Sequence, residues 1–275
     1  MRDLSNLLYS EEGRVGVITL NRPNRLNALS IGLLRELDEV LSELRQREDI
    51  GALVITGSPR ADGRPCFCAG ADLKEIDEEG GRPRSVSLGG KPGEALLQIL
   101  DEFGQAVEPA DRAFCAEVVF ERMESFPKPI IAAIDGVCTA GGLELALACD
   151  MRIASETAVI SDLHMKNLGT LGGAGVQTRL PMVVGIAKAK EIMWSGEPMD
   201  GNEACRIGLS NRVVPPDKMI EEAKNLAAKL ADMNPLGMRV SKMVLNASLS
   251  QGVHESLRFS EVGTFLVEHL KKTSS

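Results

Sequence analysis

The chain has 275 residues, 44% hydrophobic and 25% charged, with a net charge of −8, which is enough for one large domain or a domain with a small appendage and argues against a general nucleic-acid or polybasic membrane surface. Six cysteines without a C-x-x-C pair and only three histidines support neither a disulfide framework nor a zinc site, so the thiols read as reduced core residues and no metal is expected. No window approaches 18 apolar residues, so neither a membrane span nor a secretory leader is expected, and a cytoplasmic setting follows.

After a polar start, residues 15–20 (VGVITL) read as a strand closed by the turn Asn21-Arg22-Pro23-Asn24. Ser30 is placed to cap a helix whose apolar positions Leu33, Leu34, Leu37, Val40, Leu41 and Leu44 repeat at helical spacing. Residues 52–56 form a continuous apolar strand, followed by a loop leading into residues 66–75. Residues 77–93, rich in Gly, Pro, Arg and Ser, read as a mobile surface loop, either a linker or a lid, and residues 94–124 as helix with a break at Pro109. Beyond residue 150, short strands at 151–154 and 158–160 precede a glycine-rich loop at 168–175 that opens another helix, and amphipathic helices at 216–232, 235–247 and 252–270 finish the chain. Strand and helix alternate without a fixed period, which predicts an α/β fold rather than a solenoid.

Residues 130–150 carry the chemistry. A β-branched run ending at Asp135-Gly136 reads as a buried strand and turn, and the residues after Gly141-Gly142 read as a buried helix. The glycine pair leaves backbone N–H groups uncovered at the positive end of a helix, a place suited to an anion. Glu144 follows one turn later in an apolar segment, where a carboxylate is expensive without a partner or a task. Such a pair can stabilise an oxyanion and move a proton. A glycine pair before a helix is also ordinary packing geometry, and Glu144 could simply complement the helix dipole.

Five ordered segments decide between these readings: residues 25–29 (RLNAL), 67–73 (FCAGADL), 128–136 (KPIIAAIDG), 141–146 (GGLELA) and 201–209 (GNEACRIGL). With them the sequence resembles the crotonase superfamily, the enoyl-CoA hydratase/isomerase family, over nearly its whole length. The resemblance implies a crotonase-like superhelix of ββα units over residues 1–210 and a C-terminal helical trimerisation region over 211–275, assembled as a homotrimer or a dimer of trimers. It implies an acyl-CoA thioester as substrate, with CoA part of the substrate and no separate cofactor. By position, the backbone N–H groups of Ala71 and Gly141 would grip the thioester carbonyl as it becomes an enolate, and Glu144 would activate water. Leu26, Ala28, Ala69, Gly70, Asp72 and Leu73 would line the CoA path.

The family's second hydratase glutamate has no counterpart. Counting back from Gly169-Thr170 without a gap places Met165 there, in a substrate-lining position, with Asp162 and His164 beside it as candidate substitute acids. The expected activity is reversible addition of water to a 2-enoyl-CoA. The alternatives are another reaction through the same enolate (double-bond isomerisation, decarboxylation or hydrolysis of an unusual acyl-CoA), or a silent acyl-CoA- or RNA-binding homologue. Isomerases of the family rely on the position that is Met165 here.

Overall fold

The computed structural model describes residues 4–78, 115–250 and 252–273. Strands β1 (Leu7–Glu12) and β2 (Val15–Leu20) form an antiparallel hairpin. The first of these is the polar start of the sequence, and it becomes a strand through its partner, with Leu7 opposite Leu20 and Tyr9 opposite Ile18. Helix α1 (Ile31–Gln46) begins at Ser30, whose Oγ accepts a hydrogen bond from the Leu33 N–H at 3.0 Å, and it buries the apolar stripe that the spacing predicts.

A two-strand, one-helix unit then repeats. The first unit is β3 (Ala52–Gly57), β4 (Cys66–Cys68) and α2 (Leu73–Glu78). After α3 (Ala116–Glu124), the second is β5 (Ile130–Ile134), β6 (Val137–Thr139) and α4 (Gly141–Ala148). The third is β7 (Met151–Ser155), β8 (Val159–Ser161) and α5 (Val176–Val184). Each unit gives its first strand to a six-stranded sheet, ordered β1-β2-β3-β5-β7-β9 with β9 at Arg212–Val214, and its second strand to a three-stranded sheet, ordered β4-β6-β8. All pairings except β1 with β2 are parallel, as expected when helices cover the connections between strands. This is the α/β winding implied by the resemblance.

The chain continues through α6 (Ile186–Ser195), α7 (Gly201–Arg206), α8 (Met219–Ala231), α9 (Pro235–Ser248) and α10 (Val253–Thr273). One core fills the space between the sheets and α1, α3 and α4; a second lies on the far face of the large sheet, where Val15, Val17, Val54, Ile131 and Ile153 meet Met219, Ala223, Ala227 and Ala231 of α8. Because β9 and α8 belong to the large sheet and its second core, that sheet's packing runs past residue 210. Two expectations need correction or restriction. The loop predicted from residue 77 begins no earlier than 79, because α2 extends to Glu78 after Asp72 accepts a hydrogen bond from the Glu75 N–H at 3.5 Å. The rest of that loop, and the predicted helix before Cys115 with its break at Pro109, lie outside the described residues.

Cys66, Cys68, Cys138 and Cys149 are buried free thiols, and burial pushes Cys66 up to about 11 and Cys68 and Cys149 up to about 12, so they remain protonated packing groups. Arg152 holds the far end of α4 in place. It is buried and donates from Nε to the Leu209 carbonyl at 2.7 Å and from Nη1 to the carbonyls of Cys149 at 2.9 Å and Ala146 at 3.3 Å. These are carbonyls at a helix C-terminus and in the following loop, which a cation both satisfies and complements electrostatically. Arg152→Met is therefore expected to lower stability by about 2–3 kcal/mol by leaving them unpaired, read as a lower urea midpoint at unchanged slope.

Candidate active site

The Gly141-Gly142 pair sits where β6 meets α4. Ala140, the residue before the helix, is held at φ 49°, ψ −119°, a strained conformation for a residue with a Cβ. Gly142 cannot carry a side chain, since a Cβ there would come within 2.1 Å of the Cys68 carbonyl oxygen. This close approach brings the loop after β4 against the start of α4, so that a Cβ on Gly141 would lie 3.2 Å from the Ala71 nitrogen and one on Gly70 3.1 Å from the Gly141 nitrogen.

The two amides are both uncommitted. Leu29 and Ala71 form an isolated parallel bridge in which the Leu29 N–H donates to Gly70 and the Asp72 N–H donates to Leu29, at 2.8 and 2.9 Å, leaving the Ala71 N–H unused. Gly141 opens α4, where an N–H has no acceptor within the helix. Neither amide donates to an acceptor among the described residues.

The surrounding loops are latched by residues that sequence reasoning passed over. Asn27 is fully buried; its Nδ2 donates to the carbonyls of Ser58 at 2.8 Å and Cys66 at 2.9 Å, and its Oδ1 accepts from the Arg22 N–H at 2.9 Å. Arg22 donates to the Ala28 carbonyl at 2.6 Å and pairs with Asp72 at 2.8 Å. Burial alone would raise the Asp72 carboxyl, and the Arg22 guanidinium outweighs it, so the net shift is downward. The Leu26 carbonyl accepts from the Ala69 N–H at 3.0 Å. Of the residues predicted to line the CoA path, Ala28, Gly70 and Asp72 are thus buried, Leu26 and Ala69 half-buried, and Leu73 exposed. The signal for the latch was a lone amide in an otherwise apolar run.

Glu144 lies one turn into α4, 2% exposed. Its Oε1 accepts from the Ala174 N–H at 2.9 Å, in the glycine-rich loop before α5, and from the Val176 N–H at 3.1 Å, at the first residue of α5. Gly172 of that loop lies directly over the carboxylate, since a Cβ there would come 2.5 Å from Oε1 and 3.1 Å from His164 Cε1. Oε2 carries no hydrogen bond among the described residues and faces His164 Nε2 at 3.8 Å. Burial pushes the Glu144 carboxyl above the usual carboxylate range despite its two backbone donors.

His164 is buried, with Nδ1 2.6 Å from Asp162 Oδ1, whereas Met165 is 39% exposed. Burial by itself would lower the imidazolium; the Asp162 hydrogen bond and the negative charges of Glu144 and Asp162 reverse this, and the net shift is upward. The structure therefore brings Asp162, His164 and Glu144 into one line and leaves Met165 outside it. Among the described residues no group of three or more His, Cys, Asp or Glu is placed to hold a metal, and no helix is long and apolar enough to cross a membrane.

Whole-chain similarity points to one family. The family described as enoyl-CoA hydratase/isomerase matches residues 10–101 and 100–266. The short-chain-enoyl-CoA hydratase of Clostridium acetobutylicum is 32% identical, with 94% of this chain and 87% of that protein covered. The crotonyl-CoA hydratase of Syntrophomonas wolfei is 30% identical over 92% of this chain and 85% of its own length. The crystal structure of an enoyl-CoA hydratase from Bacillus anthracis superposes with a TM-score of 0.79 at 30% identity, covering 96% of this chain and 92% of that one.

Proposed function

The chain belongs to the enoyl-CoA hydratase/isomerase family, and from that premise we propose that it adds water reversibly across the double bond of a 2-enoyl-CoA, with the Ala71 and Gly141 N–H groups holding the thioester oxygen and Glu144 taking the proton of the attacking water. The observation that carries this reading is the pair of uncommitted amides side by side, one helical turn from a buried carboxylate. Fixed backbone donors stabilise developing oxyanion charge without reorganising, and the helix N-terminus adds its dipole. Oε1 of Glu144 is occupied by two donors while Oε2 is open, so the proton goes to Oε2. A carboxyl with a raised pKa is the better base for that transfer near neutrality.

The loops carrying Leu26, Ala28, Ala69, Gly70, Asp72 and Leu73 are assigned to the CoA moiety, and CoA arrives with the substrate, so no separate cofactor takes part. Assembly as a homotrimer or a dimer of trimers through the C-terminal helices is supported by the apolar residues α9 and α10 leave exposed, among them Met243, Leu245, Leu257, Val262 and Phe265. A cytoplasmic setting suits a thioester substrate.

The test is loss of the conjugated-thioester absorbance on mixing with crotonyl-CoA and longer 2-enoyl-CoA substrates. Turnover with formation of the 3-hydroxyacyl-CoA is expected. Tight binding of these thioesters with no hydration at any chain length would move the protein to another enolate reaction or to a binding role.

A further inference from the structure

Resting on the hydratase reading above, we infer that His164 is the group that exchanges the α-carbon proton, held by Asp162 and set against Glu144, in the place where a gapless count puts Met165. The reason lies in the backbone. Residues His164–Leu168 form a single π-helical turn, which accommodates one more residue than an α-turn. One residue more in a turn rotates everything before it by about 100° relative to the elements after it. The count back from Gly169 crosses this turn, and the side chain that faces inward is the histidine, 9% exposed, while the thioether is 39% exposed.

Asp162 fixes how the ring is used. It is 1% exposed, and among the described residues its only ion pair is with His164. Its Oδ1 accepts a hydrogen bond from the Nδ1–H at 2.6 Å and another from the His164 backbone N–H at 3.3 Å, which holds the ring plane and turns Nε2 toward Glu144. The 3.8 Å between Nε2 and Oε2 is too long for a direct hydrogen bond, and it suits two groups addressing one small molecule or two adjacent carbons. The other charged groups nearby are Arg179 of α5 and Glu124 of α3, which are tied to each other by paired bonds of 2.6 and 2.8 Å. Two buried carboxylates thus flank one imidazole, an arrangement that favours the imidazolium.

In hydration, the water oxygen bonds to the β-carbon and its proton passes to Glu144 Oε2, while the double-bond pair moves toward the thioester oxygen as an enolate. The enolate collapses as the α-carbon takes the proton from His164 Nε2. The enzyme is left with neutral Glu144 and neutral His164, and passage of the proton from Oε2 to Nε2 through a water that enters as product leaves restores it. The active form has Glu144 ionised and His164 protonated. Turnover therefore rises as pH passes the elevated Glu144 value and falls as pH passes the elevated His164 value, so both limbs lie above the ordinary carboxylate and histidine positions.

The experiment measures kcat and KM for crotonyl-CoA across pH with wild type, His164→Gln, His164→Glu and Asp162→Asn, each checked for folding by circular dichroism. His164→Gln is expected to lose about 10²-fold in kcat at nearly constant KM, and to lose the alkaline limb. His164→Glu is expected to recover part of the rate. Asp162→Asn should move the alkaline limb to lower pH, because the carboxylate that sustains the imidazolium is gone; it reports even if His164→Gln does not fold. Wild-type kcat and an intact alkaline limb in His164→Gln, or rescue of that variant by Met165→Glu, would overturn the assignment while leaving the hydratase reading standing. A wild type that hydrates no enoyl-CoA removes both.

Discussion

Glu144→Gln is expected to keep the fold and acyl-CoA binding and to lose about 10²–10⁴ of turnover, the range of a lost general acid–base group. The amide is nearly isosteric, and its carbonyl oxygen can accept from the Ala174 and Val176 N–H groups that now hold Oε1. What it cannot do is receive a proton at the second position, which faces His164 Nε2 and is otherwise free of hydrogen bonds among the described residues. Stability should move the other way. Burial raises the folded-state pKa of Glu144, so the stability tied to its neutral form is present below the unfolded value and is lost as pH rises through the folded one. At neutral pH the wild type holds an ionised carboxylate that burial disfavours, and the amide does not. Thermal melts should therefore show the Gln variant gaining relative to wild type between acid and neutral pH, while kcat collapses with KM little changed. Undiminished kcat would remove Glu144 from the reaction, whatever the melts show.

That trade of stability for chemistry also explains what was readable from sequence. Local rules found the elements whose reasons are local: the Ser30 cap, the apolar stripe of α1, the buried strand at 130–134 and the glycine pair opening α4. Strand β1 was missed because half of its residues are polar, and its identity comes from ladder bonds to β2 rather than from its own pattern. Helix α2 runs two residues into what reads as a loop because it is started upstream by Asp72, which acts both as a cap for Glu75 and as the partner of Arg22, fifty positions away. At the site, Glu144 stood out as a carboxylate among apolar residues, but its two backbone donors come from thirty residues downstream and have no side-chain signature. Asp162 and His164 were visible only as neighbours of a position defined by counting. Counting treats a turn as an integer number of residues in fixed register, and a π turn breaks that assumption at the place where it matters.

Gly141→Pro is expected to lose about 10²–10³ in kcat, because it deletes one of the two uncommitted donors and leaves the other in place. Proline is tolerated at the first position of a helix, where its missing N–H has no intrahelical partner, so this variant has a reason to fold that a proline deeper in α4 would not have. Gly141→Ala tests the same site by a different route. Its methyl would sit 3.2 Å from the Ala71 nitrogen, 3.2 Å from Leu29 Cδ1 and 3.3 Å from Gly70 Cα, contacts tight enough to need a few tenths of an ångström of movement. The N–H of residue 141 survives, yet the methyl occupies the space in front of the Ala71 N–H where the thioester oxygen has to enter. Both variants should thus be damaged in turnover, but to different degrees: Gly141→Ala keeps both donors and suffers through the methyl alone, whereas Gly141→Pro brings the same Cβ, loses one donor and puts its ring Cδ where the N–H pointed, so it falls further in kcat and also rises in KM. The comparison needs steady-state kinetics with crotonyl-CoA and a binding measurement with a saturated acyl-CoA. Normal turnover in folded Gly141→Pro would mean that the carbonyl is held by donors other than this pair, and the resemblance-based placement of the thioester at the head of α4 would fall with it.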